Sequence, residues 1–151
     1  MKDNVILVAV DSTHRSLSIV KQAAMLAIRL QKALYLVHVV DTKEWPGLAA
    51  QRREESLARY FNRNFYKVGT ELGVKHVIST VIYGNPSKRL TKLSNLNNVA
   101  MIIMGASGRH CIGSLSVMGH TTMYVTRWSK KNAIIVREPA ALPLPLAAAL
   151  A

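Results

Sequence analysis

The sequence predicts an α/β fold with a doubly wound parallel sheet. Three observations predict it. Five short apolar runs recur along the chain, each about the length of a buried strand. Between them lie four stretches with the signals or spacing of helices. The chain has 151 residues, 50% of them hydrophobic, which suits one domain with a real core. Alternation of strands and helices implies right-handed crossovers and a sheet covered on both faces.

Each element follows in order. Val5 to Val10 (VILVAV) is continuously apolar, as a strand buried on both faces requires. Asp11 and Ser12 come next, and either suits a helix cap. From Ser16 to Leu30, the residues Leu17, Val20, Ala24 and Ile28 recur at helical spacing. Ala33 to Val40 (ALYLVHVV) is the second strand, ended by Asp41. Pro46 and Gly47 mark a loop. Gln51 to Leu72 reads as a helix with Leu57, Phe61, Phe65, Val68 and Leu72 on its inner face. Arg59, Arg63 and Lys67 lie opposite, and Gly73 stops the helix. Val77 to Tyr83 is the third strand. Asn85 then caps a helix that has Pro86 in its first turn and runs to about Asn97. Val99 to Met104 (VAMIIM) is the fourth strand. A last helix is expected from about Gly119 to Trp128, before the fifth strand, Ala133 to Val136.

In such sheets ligands sit beyond the carboxyl ends of the strands, at the switch point. The segments after the first strand (Asp11, Ser12), the second (Val39 to Asp41) and the fourth (Gly105 onward) are expected to meet there. The stretch from Gly105 to Gly119 is the leading candidate. Glycines let a backbone approach a phosphate closely. Helix N-terminal amides add partial positive charge, and Arg109 supplies a whole one.

Other chemistries lack their residues. There is no GxxxxGK[ST] loop and no GxSxG elbow. The five histidines show no HxxxH or cysteine-pair spacing, so no metal site is expected. Only Asp11 and Asp41 sit at strand ends, on different strands, which argues against a two-metal phosphoryl-transfer site. His38 falls inside a buried strand and reads as a satisfied core histidine. The single cysteine, Cys111, permits no internal disulfide and fits a reducing, cytoplasmic setting. No catalytic set emerges. ATP hydrolysis is expected to be slow at best, with only His110 or His120 near the loop as a base.

The formal net charge is +12. From Leu72 to Arg137 there is no carboxylate, while Lys75, Lys88, Arg89, Lys92, Arg109, Arg127, Lys130, Lys131 and Arg137 all fall there. Such a surface attracts anions without specifying a nucleic-acid sequence. Residues 1–138 read as the folded domain. The uncharged Pro/Ala/Leu stretch 139–151 reads as a linker, a cloning scar or the start of something longer, too short to span a bilayer.

At this point the chain resembles the universal stress protein family. The likeness rests on VILVAVDSTHRSLSIVKQAAMLAIRL, LYLVHVVD, VIYGNP, MIIMGASG and GHTTMYVTRWSKKNAIIVRE, in that order and spacing. It implies a Rossmann-like five-stranded parallel sheet of order 3-2-1-4-5. It also implies a homodimer paired through the last strand, here Ala133, Ile134, Ile135 and Val136. One branch of the family binds ATP or AMP through G-x2-G-x9-G-[ST] after the fourth strand, with magnesium only as the nucleotide's counter-ion. Carried over, Asp11 and Val39 lie on the adenine-ribose side, and Gly105, Gly108 and Gly119 on the phosphate side. Ala9, Val10, Ser12, Met104, Arg109, His120 and Thr121 adjoin them and complete the expected nucleotide site. The sequence departs from the motif twice: ten residues separate Gly108 from Gly119, and His120 replaces the hydroxyl residue. A hydroxyl donates to phosphate at any pH, whereas a neutral imidazole has one N–H. Thr121 or Thr122 is the available substitute.

The resulting expectation is a stress-response regulatory protein that binds an adenine nucleotide. The alternative is a nucleotide-independent dimeric module, which the charge and the apolar stretch would place beside a membrane transporter or another anionic surface.

Overall fold

Runs that are apolar at consecutive positions are satisfied only in strands covered on both sides. The computed structural model builds its sheet from those runs, and it describes residues 3–106 and 118–137. The elements are β1 (Val5–Ala9), α1 (Ser16–Leu30), β2 (Ala33–Asp41), α2 (Leu48–Leu72), β3 (Val77–Gly84), α3 (Pro86–Ser94), β4 (Val99–Gly105), α4 (His120–Trp128) and β5 (Asn132–Val136). All strands pair in parallel, in the order β3-β2-β1-β4-β5. This is the Rossmann-like α/β arrangement that the sequence predicts.

β1 lies at the centre, with Val8 opposite Leu36 of β2 and Ile103 of β4. The twofold period of a strand then divides the core. Ile6, Val8, Leu34, Leu36 and Ile103 pack under α1 and α2, against Val20, Ala23, Ala24, Phe61 and Phe65. Leu7, Val37, Ile102 and Met104 face the other way, against Leu90 of α3 and Val125 of α4.

Three expectations are corrected. Neither Asp11 nor Ser12 caps α1. The residue before that helix is Arg15, which makes no side-chain cap bond. A tight turn intervenes, in which the Ser16 and Leu17 amides donate to the Thr13 and His14 carbonyls.

The inner face of α2 is also rotated from the expected one. Phe61 and Phe65 are buried, but Leu57 and Leu72 are 43% and 42% exposed. Glu54, Ala58, Asn62 and Gly69 occupy the face instead. Small and hydrogen-bonded residues let the helix lie close to the sheet. A Cβ on Gly69 would stand 3.2 Å from a Val77 methyl. Asn62 Nδ2 donates to the Thr80 carbonyl at 3.0 Å.

Finally, α3 ends at Ser94 rather than near Asn97. Asn95 Oδ1 takes the Lys130 amide at 2.7 Å, and the carbonyls of Asn97 and Asn98 take amides of residues 3–5. These bonds draw the chain out of the helix and into β4.

The readings that concern Gly108, Arg109, His110, Cys111 and the stretch 139–151 fall outside the described residues. Among the described residues, no helix is long and apolar enough to cross a membrane.

Asn85 caps α3 as expected, its Oδ1 accepting the Lys88 amide at 3.1 Å. Asn85→Ala should therefore lower unfolding stability by about 1 kcal/mol, measured by urea denaturation.

Candidate functional site

Strand order decides what meets at the carboxyl edge. β1 lies between β2 and β4, so the chain leaving β1 is flanked by the ends of both neighbours. Asp11 forms that turn. Its Oδ1 accepts the Thr13 amide at 3.0 Å, the Thr13 hydroxyl, and the Ser16 hydroxyl at 2.9 Å. Ser16 Oγ in turn accepts the Asp11 amide at 2.9 Å. All three of these carboxylate bonds land on Oδ1.

On the β4 side two hydrogen bonds close a frame. The Ala106 amide donates to the Val136 carbonyl at 3.1 Å, and the Gly119 amide to the Ala106 carbonyl at 2.8 Å. This sets Gly119 beside the end of β4 and starts α4 there. The first amides of a helix have no partner within it, so this end of the cleft is suited to an anion. Of the two threonines, Thr122 is committed. Its Oγ1 donates to the Gly105 carbonyl at 2.7 Å, and the residue is buried. Thr121 lines the cleft, and His120 is exposed, its ring stacked 6.5 Å from that of Tyr124.

Together these segments enclose a cleft of about 380 Å³. Ala9, Val10, Asp11, Val39, Met104, Gly105, Gly119, His120 and Thr121 all line it. Ser12 does not. It lies buried beside the cleft and donates its hydroxyl to Glu54 Oε1 at 3.0 Å. Gly108 and Arg109 lie outside the described residues.

Further lining residues were not anticipated, among them His38, Glu44, Trp45 and Glu54. Glu54 reaches the site from α2 and is only 5% exposed. His38 Nε2 stands 3.5 Å from the same Oε1, so the buried histidine has a carboxylate partner. Stepping back from Phe65 and Phe61 at helical spacing lands on Ala58 and Glu54, and that is the signal that would have found it. Trp45 follows β2 in the loop that Pro46 and Gly47 mark.

The electrostatics of the cleft oppose those of the chain. Asp11, Asp41, Glu44 and Glu54 line it, and no lysine or arginine does among the described residues. Lys88, Arg89, Lys92, Arg127 and Lys130 are exposed elsewhere. Among the described residues no group of three His, Cys, Asp or Glu side chains is placed to hold a metal.

A family model described as the universal stress protein family matches residues 4–137. The chain belongs to the universal stress protein family. Among curated relatives, it is similar to a putative universal stress protein of Staphylococcus aureus. That match is 27% identical over 138 residues and covers 87% of this chain and 82% of the relative. Among solved structures, it is similar to the universal stress protein UspA from Lactobacillus plantarum, with a TM-score of 0.80 and 23% identity. That match covers 91% of this chain and 99% of the other. It is also similar to the universal stress protein from Archaeoglobus fulgidus in complex with dAMP, with a TM-score of 0.70 and 17% identity over 89% and 98% of the two chains. At these identities the two structures establish the universal stress protein fold and nothing finer.

Removing the Ser12 hydroxyl takes a donor from a buried carboxylate. Ser12→Ala should cost about 1–3 kcal/mol of stability, read from urea denaturation. An unchanged midpoint would mean that Glu54 does not need this bond.

Proposed function

We propose that this protein binds an adenine nucleotide in the cleft, as a regulatory stress protein and not as an enzyme. One observation carries the reading: the Asp11 carboxylate and the N-terminus of α4 open on the same cleft. The first is an acceptor for ribose hydroxyls, and the second a set of donors for a phosphate. Val39 and Met104 supply apolar walls between them. Family membership and a dAMP-bound structural neighbour support the reading.

The Asp11 and Asp41 carboxylates at the cleft also rank the ligands, since they repel a highly charged polyphosphate more than a monophosphate. AMP should therefore bind more tightly than magnesium-free ATP, with magnesium restoring part of the difference. Titration calorimetry of the native protein with AMP, ATP and ATP plus magnesium checks this order. Asp11→Ala should weaken AMP binding about tenfold or more, since a charge-assisted hydrogen bond is worth about 1.5–3 kcal/mol. No heat from AMP at millimolar concentration would sink the reading.

We further propose a homodimer paired through β5. This strand is the outer edge of the sheet, where unpaired backbone groups offer a ladder to a second copy. Ile134 on it is 39% exposed. Sedimentation velocity should show a dimer that Ile134→Lys shifts toward monomer. A native monomer at micromolar concentration would remove the proposal.

A further inference from the structure

α3 and α4 pack side by side on one face of the sheet. Both begin at the cleft, where Pro86 and His120 are among the lining residues. Each returns the chain to the start of a parallel strand, so both helices end at the opposite edge of the sheet. Two hydrogen bonds tie those ends together. Ser94 Oγ and Ser129 Oγ are 2.8 Å apart, and the Lys130 amide donates to Asn95 Oδ1 at 2.7 Å.

Lys92, Leu96, Arg127, Trp128 and Lys130 adjoin this joint, and all of them are exposed. Leu96 is 46% exposed and Trp128 55%. The sequence holds no carboxylate from Leu72 to Arg137, so neither helix has one to neutralise these cations. Asp3 borders the joint and pairs with Lys131 at 3.0 Å. Lys92 and Arg127 stand in the last turns of their helices, where the helix dipole alone favours a cation. The dipole gives no reason for an exposed leucine and an exposed indole beside them. Apolar side chains set among cations suit a face that meets a bilayer. The cations answer the lipid headgroups, and an indole settles at headgroup level.

Nucleic acid is the other polyanion, and the surroundings of the indole argue against it. The Arg127 guanidinium lies over the Trp128 ring, 5.3 Å from its centroid. The Tyr124 ring stands beside it, with centroids 6.4 Å apart. An indole whose flat surface is shared with neighbours on its own helix is poorly placed to take a stacked base. Leu96 offers nothing to a phosphate backbone.

We propose that the joined C-terminal ends of α3 and α4 are a docking surface for an anionic lipid bilayer. Lys92, Arg127 and Lys130 meet the headgroups, while Leu96 and Trp128 enter the interface. The surface lies at the edge of the sheet away from the cleft, so the docked protein keeps its cleft open to solution. The inference stands apart from the nucleotide reading.

Sedimentation of the full chain with vesicles tests it. Binding is expected to phosphatidylserine–phosphatidylcholine vesicles and not to phosphatidylcholine alone, and it should weaken as salt rises. A cation near such a surface is worth about fivefold in affinity. Replacing Lys92, Arg127 and Lys130 together by Gln should therefore weaken binding about a hundredfold. The same change at Arg52, Arg63 and Lys67, exposed on α2, should weaken it far less. Melting temperatures report whether each variant is folded. The single Gln variants, each about fivefold weaker, replace the triple one if it is not. The chain has two tryptophans, Trp45 and Trp128. In a Trp45→Phe background, Trp128 emission should shift to the blue as vesicles bind.

No binding to the anionic vesicles at low salt overturns the proposal. Equal weakening by the two triple substitutions also overturns it, since net charge alone would then explain the binding. So does vesicle binding with no shift in Trp128 emission. If single-stranded DNA is bound and moves that emission while the vesicles do not, the surface belongs to a nucleic acid and the proposal falls.

Discussion

Asp11 Oδ1 gathers the Thr13 amide, the Thr13 hydroxyl and the Ser16 hydroxyl at one atom, and the rest of the site depends on that knot. It turns the chain sharply off the central strand before α1 begins. Without it the end of β1 would have no reason to stop where the ends of β2 and β4 flank it. The same bonds all fall on one carboxylate oxygen. A residue that would ordinarily cap a helix is spent here on shaping a turn, which is why α1 starts at Ser16 with no side-chain cap.

A second constraint is electrostatic. A chain of net charge +12 would be expected to concentrate cations where an anion binds. The described part of the cleft does the reverse, with four carboxylates and no lysine or arginine. Among the described residues, backbone amides at the start of α4 supply positive potential there. For the nucleotide proposed here, such a site would rely on directional contacts to the nucleoside. The exposed cations of α3 and α4 remain a separate attraction that salt would screen.

Most of the fold is legible in the sequence because periodicity reports burial directly. VILVAV, ALYLVHVV and VAMIIM can hardly be anything but buried strands, and Asn85-Pro86 announces α3. The inner face of α2 was less legible. A stripe of large apolar residues pointed to Leu57 and Leu72, whereas close approach to the sheet favours Gly69 and Ala58, and polar partners favour Asn62 and Glu54. Partners such as the Thr80 carbonyl and the Ser12 hydroxyl come from distant segments, so the local pattern does not reveal them. Asp11, Val39 and Gly105 were found by position at strand ends and Gly119 through the family motif, while Trp45 became visible only once the cleft had walls.

In the proposed complex AMP occupies this cleft, with its phosphate at α4 and its ribose at Asp11. The most direct measurement is a titration of the isotopically labelled protein with AMP, followed by amide chemical shifts. Among the described residues, saturable shifts are expected at 9–12, 37–45, 104–106 and 119–122. Shifts absent at millimolar AMP, or spread instead along the exposed basic residues of α2 and α3, would contradict it.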